Sequence, residues 1–350
     1  REFDGVIPET GQFNTFINIA NLIGNGGMGP AMNINLYHTT GYNSGLFRNW
    51  GLKLNHAVYV QRKPNELYDT FDDAFGRAGY GALYLTTGES WEYEYDKPLS
   101  TPNLITSFVN GQLVISHKSG NIEYLTPFTV LSDFTAIVRY YLPTKIISAA
   151  GRTLTLTWSI HDENETDAWI KVLNTPDLTS ISDDTQTLVK IDYTRSKTQT
   201  IVTFHVWPDT EKYYYYTFET DGLGLTKASL SNPACTRVFE NIDIGKTGEI
   251  VRSPTKITNS SGQTTTIKYN AQKKVSNLTT TDNHSSSKIS LDYQYHTQAN
   301  IQTTTINSSS GEIKSLFFDK NNVQIKETIK NGNSVKTVEM FKTLIKGNTE

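Results

Sequence analysis

Between Leu142 and Ser159 the chain reads LPTKIISAAGRTLTLTWS. An apolar pair, Ile146 and Ile147, meets a turn built on Ala150, Gly151 and Arg152. A second run follows in which Leu154, Leu156 and Trp158 alternate with Thr153, Thr155 and Thr157. Successive side chains of a strand point to opposite faces, so this spacing makes one face apolar and the other hydroxylated. The glycine supplies the backbone freedom of a tight reversal. The stretch predicts a β-hairpin.

The same pattern recurs along the chain, which constrains it to an array of hairpins. Phe108 and Val109 lead into Asn110-Gly111, after which Leu113 and Ile115 alternate with Val114 and Ser116. Asn-Gly between alternating apolar residues is the strongest short-range hairpin signal. Ser119-Gly120 then turns the chain into Ile122 and Tyr124, and KITNSSGQTTTIKYN (256–270) repeats the form. Strands follow at Val189-Ile191-Tyr193, at Val202-Phe204-Val206 and across a run of four tyrosines, Tyr213 to Tyr216. Alternation sends Tyr213 and Tyr215 to one face and Tyr214 and Tyr216 to the other, so neither face is fully solvated. Beyond residue 250 the strands come at short intervals between Ser, Asn and Gly turns.

Composition agrees with strands. Nineteen Tyr and fifteen Phe stand beside three Met, and aromatic residues fit a pleated, half-buried surface. The net charge of −3 argues against a general nucleic-acid binder. It conceals an asymmetry: residues 251–350 carry 13 Lys and Arg against 7 Asp and Glu, a net +6, and the first 250 carry 19 against 28, a net −9. The single cysteine, Cys235, has no partner for an internal disulfide. No run of about 18 apolar residues suggests a membrane helix, and no signal peptide is visible. Because the chain begins at Arg1, it reads as a fragment.

Two local patterns invite other readings. Gly24, Gly26 and Gly29 spell the dinucleotide fingerprint G-x-G-x-x-G. That fingerprint needs a helix at its last glycine to meet a pyrophosphate; here Pro30 and the strand pattern AMNINLYH follow, so the cluster reads as a strand-connecting turn. Residues 64–82 are the one helical candidate, with Leu67, Phe71, Ala74 and Phe75 on one face. Residues 160–186, rich in acidic and polar groups, read as a surface loop.

The segments YNAQKKVSNLTT and FDKNNVQIKETI, at Tyr269-Asn270 and Phe318-Asp319, resemble degenerate copies of the tyrosine–aspartate (YD) repeat. The first has Asn for Asp, the second Phe for Tyr, and neither keeps the usual turn glycine. Upstream, TGQFNTFINIANLIGNGGMGPAMNINLYH, LYLTTGESWEYE, NGQLVISHKSGNIEYL and LPTKIISAAGRTLTLTWS resemble, in order, the N-terminal region of bacterial Rhs (YD-repeat) proteins. These are similar to the C components of insecticidal toxin complexes and, more distantly, to teneurins. The resemblance implies a spiralling β-sheet shell around a C-terminal toxic domain. It also implies partners: the rest of the shell, its toxin, and other toxin-complex or secretion-system components, in a secreted or cell-surface setting. The Asp-Pro-rich processing segment of that family has no counterpart here, since the chain contains no Asp-Pro dipeptide.

Catalytic motifs are lacking. His161-Asp162-Glu163 is the one local cluster with metal-ligand chemistry, and no second ligand pair accompanies it. Asp183 and Asp184 are adjacent, which on a strand sends them to opposite faces rather than across a substrate. Cys235 has no neighbouring histidine to activate it. The expectation is therefore no enzyme, no catalytic residue, no cofactor and no metal site. The aromatic surplus either fills the space between strands or, at Trp91, Tyr93 and Trp158, stacks a ligand such as a sugar ring.

The sequence thus predicts an all-β fold, an extended array of antiparallel hairpins with little helix. Residues 1–130 form an N-terminal β region and 131–350 the start of a YD-repeat-like shell. The expected function is structural, part of a shell that encloses or presents a toxin; a carbohydrate-binding cell-surface module is the alternative. The array's open edge is expected over 323–341.

Overall fold

The computed structural model describes residues 3–38, 50–62, 80–87, 90–94, 97–132, 136–160, 176–196, 198–221, 224–245, 251–282 and 287–340. Among them the regular structure is strand, apart from one 3₁₀ turn at Asn25–Gly27, and the strand pairings are antiparallel. The all-β expectation holds. The glycine cluster is the link between two strands, as its composition indicates. Of the helix expected over 64–82, residues 64–79 lie outside the described part, and Tyr80–Tyr84 is strand. The His161 cluster also lies outside it. No helix among the described residues is long and apolar enough to cross a membrane.

Two sheets divide the chain. The first is a meander of β1 (Phe3–Ile7), β2 (Gln12–Ile23), β3 (Ala31–His38) and β4 (Trp50–Leu52). The second begins with β5 (His56–Arg62), β6 (Tyr80–Tyr84), β7 (Ser90–Glu94), β8 (Leu104–Val109), β9 (Gln112–His117), β10 (Ile122–Ser132) and β11 (Ala136–Ile147). It continues through β12 (Thr153–Ser159), β13 (Asp177–Asp183), β14 (Thr187–Arg195), β15 (Thr200–Val206), β16 (Tyr214–Thr220), β17 (Leu225–Ser231) and β18 (Ala234–Asp243). The last strands are β19 (Arg252–Asn259), β20 (Gln263–Tyr269), β21 (Val275–Asp282), β22 (Ser287–Gln298), β23 (Ile301–Ser308), β24 (Glu312–Phe318), β25 (Gln324–Asn331) and β26 (Ser334–Glu339).

The order of this large sheet returns on itself, and β11 is its junction. One edge of β11 pairs with β10 along Ala136–Ile147. The other edge is shared: β5 takes Ala136 to Tyr141 and β12 takes Lys145 to Ile147. From β12 onward each strand pairs with its chain neighbours. β25 is therefore an interior strand between β24 and β26, and all six residues of β26 are exposed.

The small sheet lies face to face on the array. Phe13, Ile17, Leu22, Leu36 and Trp50 of the first pack into one apolar core with Leu156, Ile181, Phe204, Phe218 and Phe239 of the second. Burial of these two apolar faces is the main force holding the sheets together. A second core, including Leu83, Leu113, Ile115, Leu125 and Tyr141, belongs to β5–β11. Polar groups of the small sheet find partners across the gap, as buried backbone groups must. Tyr214 Oη donates to Ile19 O at 2.8 Å, Val275 N to Gly11 O at 2.8 Å and Thr304 Oγ1 to Pro8 O at 2.6 Å. Gln302 Nε2 donates to Glu9 O.

His38 is buried at this seam, with Nδ1 3.3 Å from Phe13 O and Nε2 3.2 Å from Arg252 O. Burial lowers its pKa from 6.5 to about 4, although both carbonyls favour the charged ring. A neutral imidazole carries one N–H, so one of the two contacts is made without a hydrogen.

The turns follow a few rules. Asn110 and Gly111 have φ of 50° and 80°, the left-handed pair of a two-residue hairpin loop. Elsewhere a turn opens at residue n and places n+3 in the left-handed region, with the N–H of n+3 bonded to the carbonyl of n. Gly120, Gly151, Gly262 and Gly311 occupy that position after His117, Ser148, Asn259 and Ser308. In the two YD-like segments it is held by Lys273 (φ 63°) and Asn322 (φ 60°) instead of glycine. Asn270 Oδ1 compensates by accepting Gln272 N and Lys274 N, each at 3.0 Å. Asp319 Oδ1 does the same for Asn321 N and Val323 N at 2.8 and 2.9 Å.

Among the described residues the register of the large sheet slips seven times; Leu188 and Ile325 are the extra residues of two slips, and the other five share one chemistry. Thr144, Thr179, Thr226, Thr255 and Ser276 are extra residues on β11, β13, β17, β19 and β21, opposite the strand before. Each hydroxyl donates to a carbonyl of that earlier strand: Tyr124, Thr157, Glu219, Glu240 and Lys268, at 2.9–3.2 Å. The residue before each bulge has its own carbonyl capped from the strand after. The donors are Trp158 Nε1 to Pro143, Tyr193 Oη to Leu178, Asn241 Nδ2 to Leu225, Tyr269 Oη to Pro254 and Tyr295 Oη to Val275, at 2.7–2.9 Å. Bulges bend strands and add twist. Each of these five is stitched to both neighbours.

β13 corrects the expectation of a loop across 160–186. Leu178 and Ile181 are buried and β13 pairs with both β12 and β14. Thr179, the bulge residue, breaks the period-two pattern between them, so the apolar pair sits three apart.

Candidate binding site

The sequence points to Trp91, Tyr93 and Trp158, and the structure puts them on strands that do not pair with each other. Trp91 lies on β7 opposite Leu83 and is 37% exposed. Tyr93 lies opposite Gly81 on the same strand. Trp158 is half-buried against the main core, 6.5 Å from the Phe128 ring, with its indole N–H committed to Pro143 O.

The other flagged residues serve the backbone. Asp183 Oδ1 accepts Thr185 N, Thr185 Oγ1 and Gln186 N, and its Oδ2 accepts Asn25 N at 2.6 Å. Burial pushes its pKa up, and these hydrogen bonds more than reverse that, leaving the carboxyl below its usual range. Asp184 Oδ2 accepts Thr153 N at 3.3 Å. Cys235 is half-buried on β18 opposite Leu230. Among the described residues no three His, Cys, Asp or Glu side chains come together as a metal-binding group.

The hairpin of β15 and β16 is where chemistry concentrates. Its four tyrosines divide as their alternation requires. Tyr216 is buried and stacks on Phe218 at 5.1 Å, and Tyr214 reaches Ile19 O on the small sheet. Tyr213 and Tyr215 face outward, 39% and 41% exposed, with centroids 6.3 Å apart. His205 stacks on Tyr213 at 6.0 Å, with Nδ1 2.8 Å from its phenol oxygen and Nε2 3.1 Å from Asp192 Oδ2. Lys190 completes this surface group, 3.1 Å from Asp192.

Where that hairpin turns, a groove of about 630 Å³ opens along the seam between the sheets. Asn21 and Ile23 line it from β2, Gly26 and Gly27 from the β2–β3 turn, Gln186 from the β13–β14 turn, and Trp207, Thr210, Glu211 and Lys212 from the β15–β16 turn. Two of its walls are conformationally unusual. Asn25, Gly26 and Gly27 are successive left-handed residues, and space is open within 4 Å of where a Cβ would stand on either glycine. Trp207 has φ 53°, which costs a bulky residue about 1–3 kcal/mol. It is held there by Trp207 N donating to Leu188 O at 2.8 Å and by Thr210 N and Oγ1 donating to Trp207 O at 3.1 Å. Nothing in the sequence marks this site: Trp207 follows the end of β15, and its companions come from segments far apart in the chain.

Fold and site together define a hairpin-array protein with a second sheet packed on one face and a groove at the seam. No family model matches the sequence, and no curated protein is similar to it. Among solved structures it is similar to TcdB2-TccC3, with a TM-score of 0.32 and 10% identity, over 93% of this chain and 16% of that one. It is also similar to the N-terminal domain of effector protein SpvB from Salmonella typhimurium strain LT2, with a TM-score of 0.29 and 11% identity, over 93% and 99% of the two chains. A third is the Photorhabdus luminescens Tc holotoxin pore, with a TM-score of 0.29 and 11% identity, over 93% of this chain and 16% of that one. The chain spans about a sixth of the two toxin-complex chains. Likeness at this level transfers neither activity nor partner.

Proposed function

We propose that this chain is a non-catalytic, structural part of a secreted or cell-surface Rhs-type (YD-repeat) toxin protein, forming β-shell that encloses or presents a C-terminal toxin. The observation that carries the reading is the dipeptide Tyr269-Asn270. Its phenol closes the Pro254 bulge and its amide closes the following turn, which gives the aromatic–acid repeat a physical reason to recur. The partners on this reading are the rest of the shell and its cargo, with other toxin-complex or secretion components. Its division of 1–130 from 131–350 falls inside β10, so the two regions share a strand.

Limited proteolysis of the natural polypeptide tests it. Sequence following residue 350 should resist trypsin while the array is folded and become cleavable when urea unfolds it. Cleavage of that segment at the rate of a free peptide, or a gene product that stops at Glu350, removes the reading.

A further inference from the structure

We propose that the groove at the sheet seam is a binding site for a neutral saccharide. A sugar ring offers an apolar C–H face and a rim of hydroxyls, each both donor and acceptor. The groove supplies the counterparts. Trp207 brings an aromatic body, half-buried and held in a left-handed conformation by three hydrogen bonds. Asn21 and Gln186 are exposed amides: Gln186 can donate and accept, and Asn21, whose Oδ1 accepts Asn18 Nδ2 at 3.0 Å, keeps its two N–H donors. Glu211 and Lys212 cancel in charge, so the lining selects neither an anion nor a cation.

The volume of about 630 Å³ lies within the ordinary range for small-ligand sites, roughly 300–1,000 Å³. The bare backbone of the β2–β3 turn lets a ring approach closely, because no side chain stands over it. Asp183 fixes that turn through Asn25 N, and Asn25 Nδ2 donates to Thr153 O at 3.2 Å. One wall is thus anchored to the array that carries the other. The site exists only when the small sheet is docked. It involves none of Trp91, Tyr93 or Trp158, and it does not rest on the shell reading.

Titration of the whole chain with maltotetraose, cellotetraose and tetra-N-acetylchitotetraose tests the proposal, read by tryptophan fluorescence and by amide shifts. At least one should give a saturable change in the millimolar range or below. Asn21→Ala with Gln186→Ala, both on exposed positions, should weaken it about tenfold or more at unchanged melting temperature, as expected when hydrogen bonds to the ligand are lost. Trp207→Phe should abolish the fluorescence response while the amide shifts persist. No saturable change with any of the three, or equal affinity in the Asn21/Gln186 variant, overturns the proposal. So does saturation by a proline-rich peptide or a sulfated saccharide in place of the neutral ones. The proteolysis outcome for the shell is read separately, so the two ideas fail independently.

Discussion

The phenol of Tyr269 reaches Pro254 O at 2.8 Å and lies 2.6 Å from Ser253 Oγ, while the next residue, Asn270, holds two N–H groups of the turn. Burial pushes this phenol's pKa well above its ordinary value, so it stays a donor at any working pH. Tyr269→Phe leaves a part-buried carbonyl without its partner, and should cost about 1–3 kcal/mol in urea denaturation. A change within error would mean that the bulge needs no cap. Phe318 provides a natural contrast. Its register partner is Gln302 on β23, the β22–β23 pairing carries no slip, and a phenol there has no bulge carbonyl to serve. The acid of the repeat is kept at Asp319 because the turn still needs it. The repeat was legible in the sequence as letters; its two jobs were not, because the capped carbonyl lies 15 residues back on the neighbouring strand.

Hairpins with regular registers were the easiest elements to read. β8–β9 and β11–β12 follow the alternation and the turn residues that announce them. Bulged strands were harder, since one inserted residue shifts the apolar period and hides the strand from a period-two pattern. That is why β13 reads as loop. A signal was present nonetheless: an apolar residue or proline followed by Thr or Ser, with Tyr, Trp or Asn 15, 16 or 20 residues later. The groove could not be read at all, because it joins β2 to turns more than 150 residues away. At the far end of the array, β26 has a register with β25 and every residue exposed, including Val335 at 62%. An exposed strand with few packing contacts opens locally. Its amides should therefore exchange with deuterium far faster than those of Thr153 to Trp158, where Leu154 and Leu156 are buried. Equal protection in a dilute monomer would show that β26 is covered.

Across the whole molecule, the docking of one sheet on the other is the arrangement that both cavity and core depend on, and His38 titrates at that seam. Its pKa is 6.5 as an ordinary side chain and about 4 in place. A base with the lower folded value is protonated first in the unfolded state, so stability is full above about 6.5 and falls as the pH drops towards 4. At about 1.4 kcal/mol per pKa unit, the loss from this group is about 3 kcal/mol. His38→Asn should flatten the decline measured by denaturant midpoints across that window; an unchanged slope would assign it elsewhere. The bulges have a consequence at this scale too. They recur between successive hairpins, five times with Thr or Ser and once, in β24–β25, with Ile325, but the β14–β15 and β22–β23 pairings run without one. Bends are thus written into the chain in discrete steps, one inserted residue at a time. The bend of the array over the small sheet becomes a heritable quantity: a lineage that gained an insertion at either skipped position would add a bend there, and one that lost an insertion would straighten the sheet.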